Sequence, residues 1–474
     1  MNRLQRSRLF SLALVLTALT VLSARALAQA PAPAQMFQLP AFQRTQLPNG
    51  LTLLLLEKHQ LPLISVEVTL RSGSVADPQG KEGLAFITAS LLRKGTTSRS
   101  SEQVSSDLDF IGMEYDAQVE QDDTLLSADF LKKDLDTALP LLGDIVLHPT
   151  FPDEEKKKKI AQEQDGIHSA KDEAEGVIQP YFMKFLYGDH PYGRPAHGDE
   201  RSLGNVTRED VARFYHTHYT PGNTIIAVAG DFDSAAMQSR IAQVFGNWSG
   251  KAPAATAVPL PKPASGKRVL LVDKPDATQT YFMIGNIGIA SANPDRGYID
   301  VVNTLFGGRF TSLFNTELRI KSGYSYGASS YFEQLRVPGP FIMSTFTKNA
   351  TTEPAIDKSL EVLGRLHKDG FTADEITSAK TYINGSLPPR YETTPQLART
   401  MTALELRGIT RDQFNQNLVK LQGTTLADSR RIIDTYFPSQ DYVIVLIGKG
   451  DEIQKIAAKY APHLATKKIS DPGF

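Results

Sequence analysis

The chain has 474 residues, 41% apolar and 22% charged, with a formal net charge of −1; it is too long for one ordinary core, so at least two domains are expected. That composition excludes disorder, collagen and coiled coil. The absence of cysteine removes disulfide scaffolds, thiolate metal sites, iron-sulfur clusters and cysteine nucleophiles together, leaving His, Asp or Glu for any metal site.

The first eight residues carry three arginines, Leu9 to Ser23 is apolar, and Ala26-Leu27-Ala28 follows. This pattern predicts a signal peptide over 1–28 with cleavage after Ala28, the alternative being an uncleaved anchor. The apolar stretch falls short of the ~20 residues that span a bilayer. Removing 1–28 takes away four arginines and no acids, moving the formal charge to −5, so a basic nucleic-acid-binding stripe is not supported. Export without cysteine suits a bacterial periplasm.

Residues 29–41 form a Pro/Ala-rich leader. In the first half, 42–250, strands are expected over Thr52 to Glu57, Leu63 to Arg71 and Ser127 to Phe130, and helices over Leu84 to Leu92, Ser101 to Ile111, Asp134 to Leu147 and Asp153 to Lys171. The short connection Lys58 to Pro62 permits antiparallel pairing of the first two strands. Only His216 and His218 lie close together among the histidines, and in a helical pattern they diverge. A second Pro/Ala-rich stretch, 251–267, reads as a linker to a second half, 268–474.

The halves echo each other. The segment from Thr207 aligns without gaps on the segment from Thr425; each is a capped amphipathic helix leading through a turn into a β-branched run that ends at Gly230 or Gly448. A duplicated α+β domain, each copy a mainly antiparallel sheet covered by helices, is the economical explanation.

In the second half, Gly307 and Gly308 precede a helical spacing of Phe310, Leu313, Phe314 and Leu318. The glycines read either as a turn before that helix or as a flexible loop near a ligand path. Gly323-Tyr324-Ser325-Tyr326-Gly327 matches GxSxG, but a nucleophile elbow needs a strand before and a helix after, and here the order is reversed.

GLAFITASLLRKGT (83–96) resembles the helix on which insulinase-like (pitrilysin-type, inverzincin) zinc peptidases carry the inverted motif HxxEH. The resemblance continues through RSGSVADP, DHPYGRPAHG and YTPGNTIIAVAGDFD and implies the two-domain fold of mitochondrial processing peptidase and insulinase-like subunits. In that motif two histidines four apart bind zinc on one helix face and the Glu takes a proton from bound water. This sequence has Phe86, Ala89 and Ser90 there, with the third ligand position matched to Glu163; without the family, Glu163 reads as a solvated residue beside the run EEKKKK.

LFGGRFTSLFNTELRIKSGYSYGASSYF (305–332) resembles the family segment whose Arg and Tyr hold the substrate backbone, which implies that role for Arg319 and Tyr326. A guanidinium fork and a phenol can grip a carbonyl without activating water. The resemblance implies a non-zinc, Arg/Tyr-bearing subunit of a periplasmic metallopeptidase that binds no metal itself and forms a heterodimer with an HxxEH-bearing chain holding the zinc. The alternative is a homodimeric, peptide-holding or structural pseudoprotease, as the respiratory-complex relatives of the family suggest.

Overall fold

The structure, a computed structural model, describes residues 37–474 apart from residue 463. The expected signal, its cleavage position and residues 29–36 of the leader lie outside the described residues. Both sheets belong to one unit, Leu39–Phe474.

The first half contributes β1 (Gln43–Gln46), β2 (Thr52–Glu57), β3 (Leu63–Leu70), β4 (Glu114–Val119), β5 (Thr124–Leu131) and β6 (Thr224–Gly230). Its helices are α1 (Leu84–Leu91), α2 (Ser101–Phe110), α3 (Leu135–Leu147), α4 (Asp153–Asp172), α5 (Ala174–Tyr187), α6 (Glu200–Gly204), α7 (Arg208–His218) and α8 (Ser234–Phe245). The expected strands and helices of this half therefore form within a few residues of their expected ends. The anticipated pairing of β2 with β3 does not form. The sheet order is β1-β2-β6-β3-β5-β4, with β6 inserted between them, parallel to β2 and antiparallel to β3. The reason is burial: TIIAVAG is covered at every residue and needs a partner on each edge, which only a central place supplies.

The second half contributes β7 (Lys267–Asp273), β8 (Gln279–Ile287), β9 (Ala328–Phe332), β10 (Pro340–Lys348), β11 (Tyr442–Gly448) and β12 (Leu464–Lys468). Its helices are α9 (Arg296–Asn303), α10 (Thr352–Asp369), α11 (Ala373–Arg390), α12 (Thr394–Leu406), α13 (Arg411–Gly423), α14 (Leu426–Tyr436) and α15 (Gly450–Ala457). Its sheet order, β12-β7-β11-β8-β10-β9, repeats the first over five strands. The sixth differs in origin: β1 precedes its neighbour and runs antiparallel to it, whereas β12 comes from the end of the chain and runs parallel to β7. The ungapped internal alignment is matched element for element. Thr207 and Thr425 both close capping boxes, on α7 and α14, and β6 and β11 follow at the same spacing.

Each sheet receives one helix from the other half. Helix α5 packs on β8 and β11, where Val177, Tyr181 and Phe182 join Met283, Val443 and Val445 in one apolar cluster. Tyr181 and Phe182 are fully buried, and burial of each ring stabilises this crossing by roughly 2 kcal/mol. In exchange α12 covers β2, β3 and β6. On β3, Ile64, Val66, Val68 and Leu70 face the first core, while Ser65 and Glu67 meet the helix. Ser65 Oγ donates to Thr394 Oγ1 at 2.8 Å and Thr402 Oγ1 donates to Glu67 Oε1 at 2.9 Å.

The Pro/Ala-rich stretch has no regular structure over 251–265, yet both halves pin it. His190 Nε2 donates to Pro259 O (2.8 Å), Arg336 donates to Thr256 O (3.0 Å), and the side-chain amide of Asn286 bonds both the N–H (2.8 Å) and the O (3.2 Å) of Ala264.

Candidate functional site

Helix α1 starts at Gly83, in the left-handed region at φ 90°, against the backbone of His197, where a Cβ would meet the carbonyl oxygen at 2.7 Å. Asp77 holds this end: its carboxylate accepts from Gly83 N–H and Ala85 N–H, both at 2.8 Å. The start of the helix is thus held both by backbone contact and by a buried carboxylate.

Its side chains build something else. Phe86 is buried and stacks on His197, ring centroids 4.2 Å apart at 19°, and Lys159 Nζ lies 5.0 Å from the same ring. Lys159 also pairs with Glu163 at 2.6 Å, so Glu163 is a half-buried partner in an ion pair and not a freely solvated residue. Ala89 is fully buried and Ser90 half-buried. Burial lowers the pKa of His197, favouring the neutral ring that stacks beside a lysine.

Phe86, Ser90 and Lys159 line a cleft of about 450 Å3, whose charged lining is Arg93, Lys94 and Lys159 against Asp116. A dication here would meet three positive groups against two hydroxyls, Ser90 and Tyr115, and one carboxylate, Asp116, which already accepts from Gln118. The residues do not fit zinc, which takes three protein ligands in a catalytic site. His197 was not singled out by spacing; its place opposite Phe86 depends on the loop after α5 folding back on α1.

His216 is exposed and His218 Nδ1 lies 3.0 Å from Ser72 Oγ, both on α7 and divergent as expected.

The second half presents a different chemistry. The chain is π-helical over Thr304–Gly308, turns, and becomes π-helical again over Thr316–Lys321, so the anticipated helix begins only at Leu313. Phe310 therefore leaves the core-facing set and is exposed, with the Arg319 guanidinium 4.9 Å over its ring. Glu317 anchors this turn by ion pairs at 2.9 Å to Lys321 and to Arg365.

Tyr326 is 72% exposed and stacks on Phe346 at 6.4 Å. Among the described residues, neither Arg319 nor Tyr326 spends a hydrogen-bond donor inside the chain. The loop between them is nailed down: Ser325 Oγ donates to Gly327 O (2.7 Å) and accepts from Thr345 (2.9 Å), and Thr347 donates to Tyr324 O (2.7 Å). Ser325 is buried with a helical turn before it and β9 after it, opposite to a nucleophile elbow.

Gly307 fits neither expected reading. It lies inside a π-helical turn packed on β9, where a Cβ would stand 2.5 Å from Ser330 N and closer to its Oγ, so it is there for close approach.

Where the two halves meet, a groove of about 710 Å3 is lined by Arg71, Arg399 and Arg407 opposite Asp123 and Glu333. Burial pushes Asp123 up to about 6 and Glu333 to about 7.

Residues 53–200 match the family model described as insulinase (peptidase family M16), and residues 205–383 match the model described as the peptidase M16 inactive domain. The chain is similar to an uncharacterized zinc protease of Bacillus subtilis, 24% identical over 73% of this chain and 83% of that protein. It is also similar to one of Mycobacterium tuberculosis, 27% identical over 73% and 79%. A solved peptidase M16 inactive domain from Pseudomonas fluorescens superposes with a TM-score of 0.82 at 23% identity, covering 86% of this chain and 98% of that one. The periplasmic protease PqqL of Escherichia coli superposes at 0.71 and 16%, covering 91% of this chain and 51% of that one.

Proposed function

The chain belongs to the insulinase-like M16 peptidase family, and from that premise we propose that it is the non-zinc subunit of a periplasmic metallopeptidase, holding peptides for a partner chain that carries HxxEH and the zinc. The observation carrying this reading is a division of chemistry along the chain. The positions matched to zinc ligation hold an aromatic stack and a closed ion pair, while Arg319 and Tyr326 keep their donors in solvent.

In this role Arg319 and Tyr326 grip the scissile carbonyl, orient it, and offset the negative charge that develops on its oxygen. The partner supplies the metal-activated water. The Arg-rich start followed by an apolar stretch, together with the likeness to a periplasmic protease, supports export.

The test is coexpression with an HxxEH-bearing M16 chain encoded in the same genome, followed by size analysis and a peptide assay. Tyr326→Phe is expected to lower turnover of the complex roughly 10²-fold to 10³-fold while leaving its zinc content unchanged. Unchanged turnover rejects the role of Tyr326. If the chain purifies only with itself, the homodimeric pseudoprotease replaces this reading. EDTA-sensitive cleavage by the lone chain overturns both.

A further inference from the structure

Between α9, the edge strand β9 and helices α11 and α13 lies another cleft, of about 430 Å3, lined by neither Arg319 nor Tyr326. Asp300 enters it from α9. Asp300 is half-buried in the wall of this cleft. Among the described residues it makes no side-chain hydrogen bond or ion pair. Burial raises its pKa, and Arg296 and Arg390 pull it back.

Both arginines line the same cleft. Arg296 stands one turn before Asp300 on one helix face, a spacing that commonly closes an ion pair, yet none closes here. Arg390, at the end of α11, is exposed and equally unpaired among the described residues. The rest of the wall is mixed, with the apolar Leu387, Phe414 and Leu418 beside the polar Asn303, Ser386 and Asn417.

A carboxylate and two guanidiniums left open to one cleft select against simple ions. A bare cation meets two positive groups for one negative, and a bare anion leaves Asp300 repelling it. A ligand carrying both charges satisfies all three, with the guanidinium fork matched to a carboxylate.

We propose that this cleft binds an α-amino-acid zwitterion with an apolar side chain, as a free amino acid or a dipeptide. Its ammonium meets Asp300, its carboxylate lies between Arg296 and Arg390, and its side chain rests on Leu387, Phe414 and Leu418. This inference does not depend on the role assigned to Arg319 and Tyr326.

Calorimetric titration of the full chain with L-leucine, L-leucyl-L-leucine, N-acetyl-L-leucine and L-leucinamide tests it. At least one zwitterion is expected to bind, and both charge-blocked analogues to bind at least tenfold more weakly. The first two ligands distinguish an amino acid from a dipeptide. Asp300→Asn and Arg390→Gln are each expected to weaken binding at least tenfold. The proposal is overturned if neither zwitterion binds at millimolar concentration, if a blocked analogue binds as well, or if folded variants bind unchanged. Should Asp300→Asn fail to fold, Arg390→Gln and the analogue series on the unaltered chain still decide.

Discussion

Replacing Glu67 by Gln removes a charge from the crossing of β3 and α12, and the consequence depends on pH in a calculable way. Glu67 is 4% exposed, and its side chain accepts from Thr402. Burial raises its pKa from an ordinary value of 4.5 to about 7. Because the folded value lies above the unfolded one, the contribution of this acid to stability is fully present below about pH 4.5 and is lost as pH rises through about 7. At about 1.36 kcal/mol per pKa unit the whole loss is about 3 kcal/mol, of which about 2.5 falls between pH 5 and pH 8. Gln keeps an oxygen for Thr402 and does not ionise. Denaturant unfolding of both proteins at several pH values is expected to show the variant gaining on the parent by about 2 to 3 kcal/mol over that window. A difference that stays constant with pH would falsify the assignment of a buried, proton-retaining acid at this crossing.

Gly307→Ala forces a Cβ into the backbone of Ser330 and is expected to cost about 1 to 3 kcal/mol, seen as a lowered thermal midpoint. Phe86→Ala removes the ring between His197 and α1 and is expected to destabilise by about 3 kcal/mol, with no gain in zinc affinity by calorimetry. A fluorophosphonate probe is expected to leave Ser325 unlabelled, because its hydroxyl is buried and already bonded to Gly327 and Thr345. Labelling at that residue would mean that the loop opens in solution.

Much of the candidate site could be read from residue types. Phe86, Ala89 and Ser90 offer no metal ligation wherever they are placed, and Arg319 and Tyr326 can grip a carbonyl from any exposed surface. What surrounds these positions in the folded chain could not be read. Lys159 and Glu163 are neighbours on one helix, but His197 comes from a loop more than a hundred residues beyond Phe86, and only folding brings it to the ring. Asp300 and Arg390 likewise meet at one cleft from helices far apart in sequence.

Period and punctuation in the sequence determine the elements. Capping residues at Thr207 and Thr425, the β-branched runs behind them and the spacing between them are local, so they repeat wherever the chain carries them. The order of strands and the exchange of α5 and α12 between sheets are decided by which faces need cover, a property of the assembled layers. A run such as TLLLLE states that both sides of a strand must be buried; it does not state that the helix covering one side lies more than three hundred residues downstream. Hydrophobic pattern acts over a few residues, whereas burial is settled by the whole packed unit, which is why the elements were legible and their partners were not.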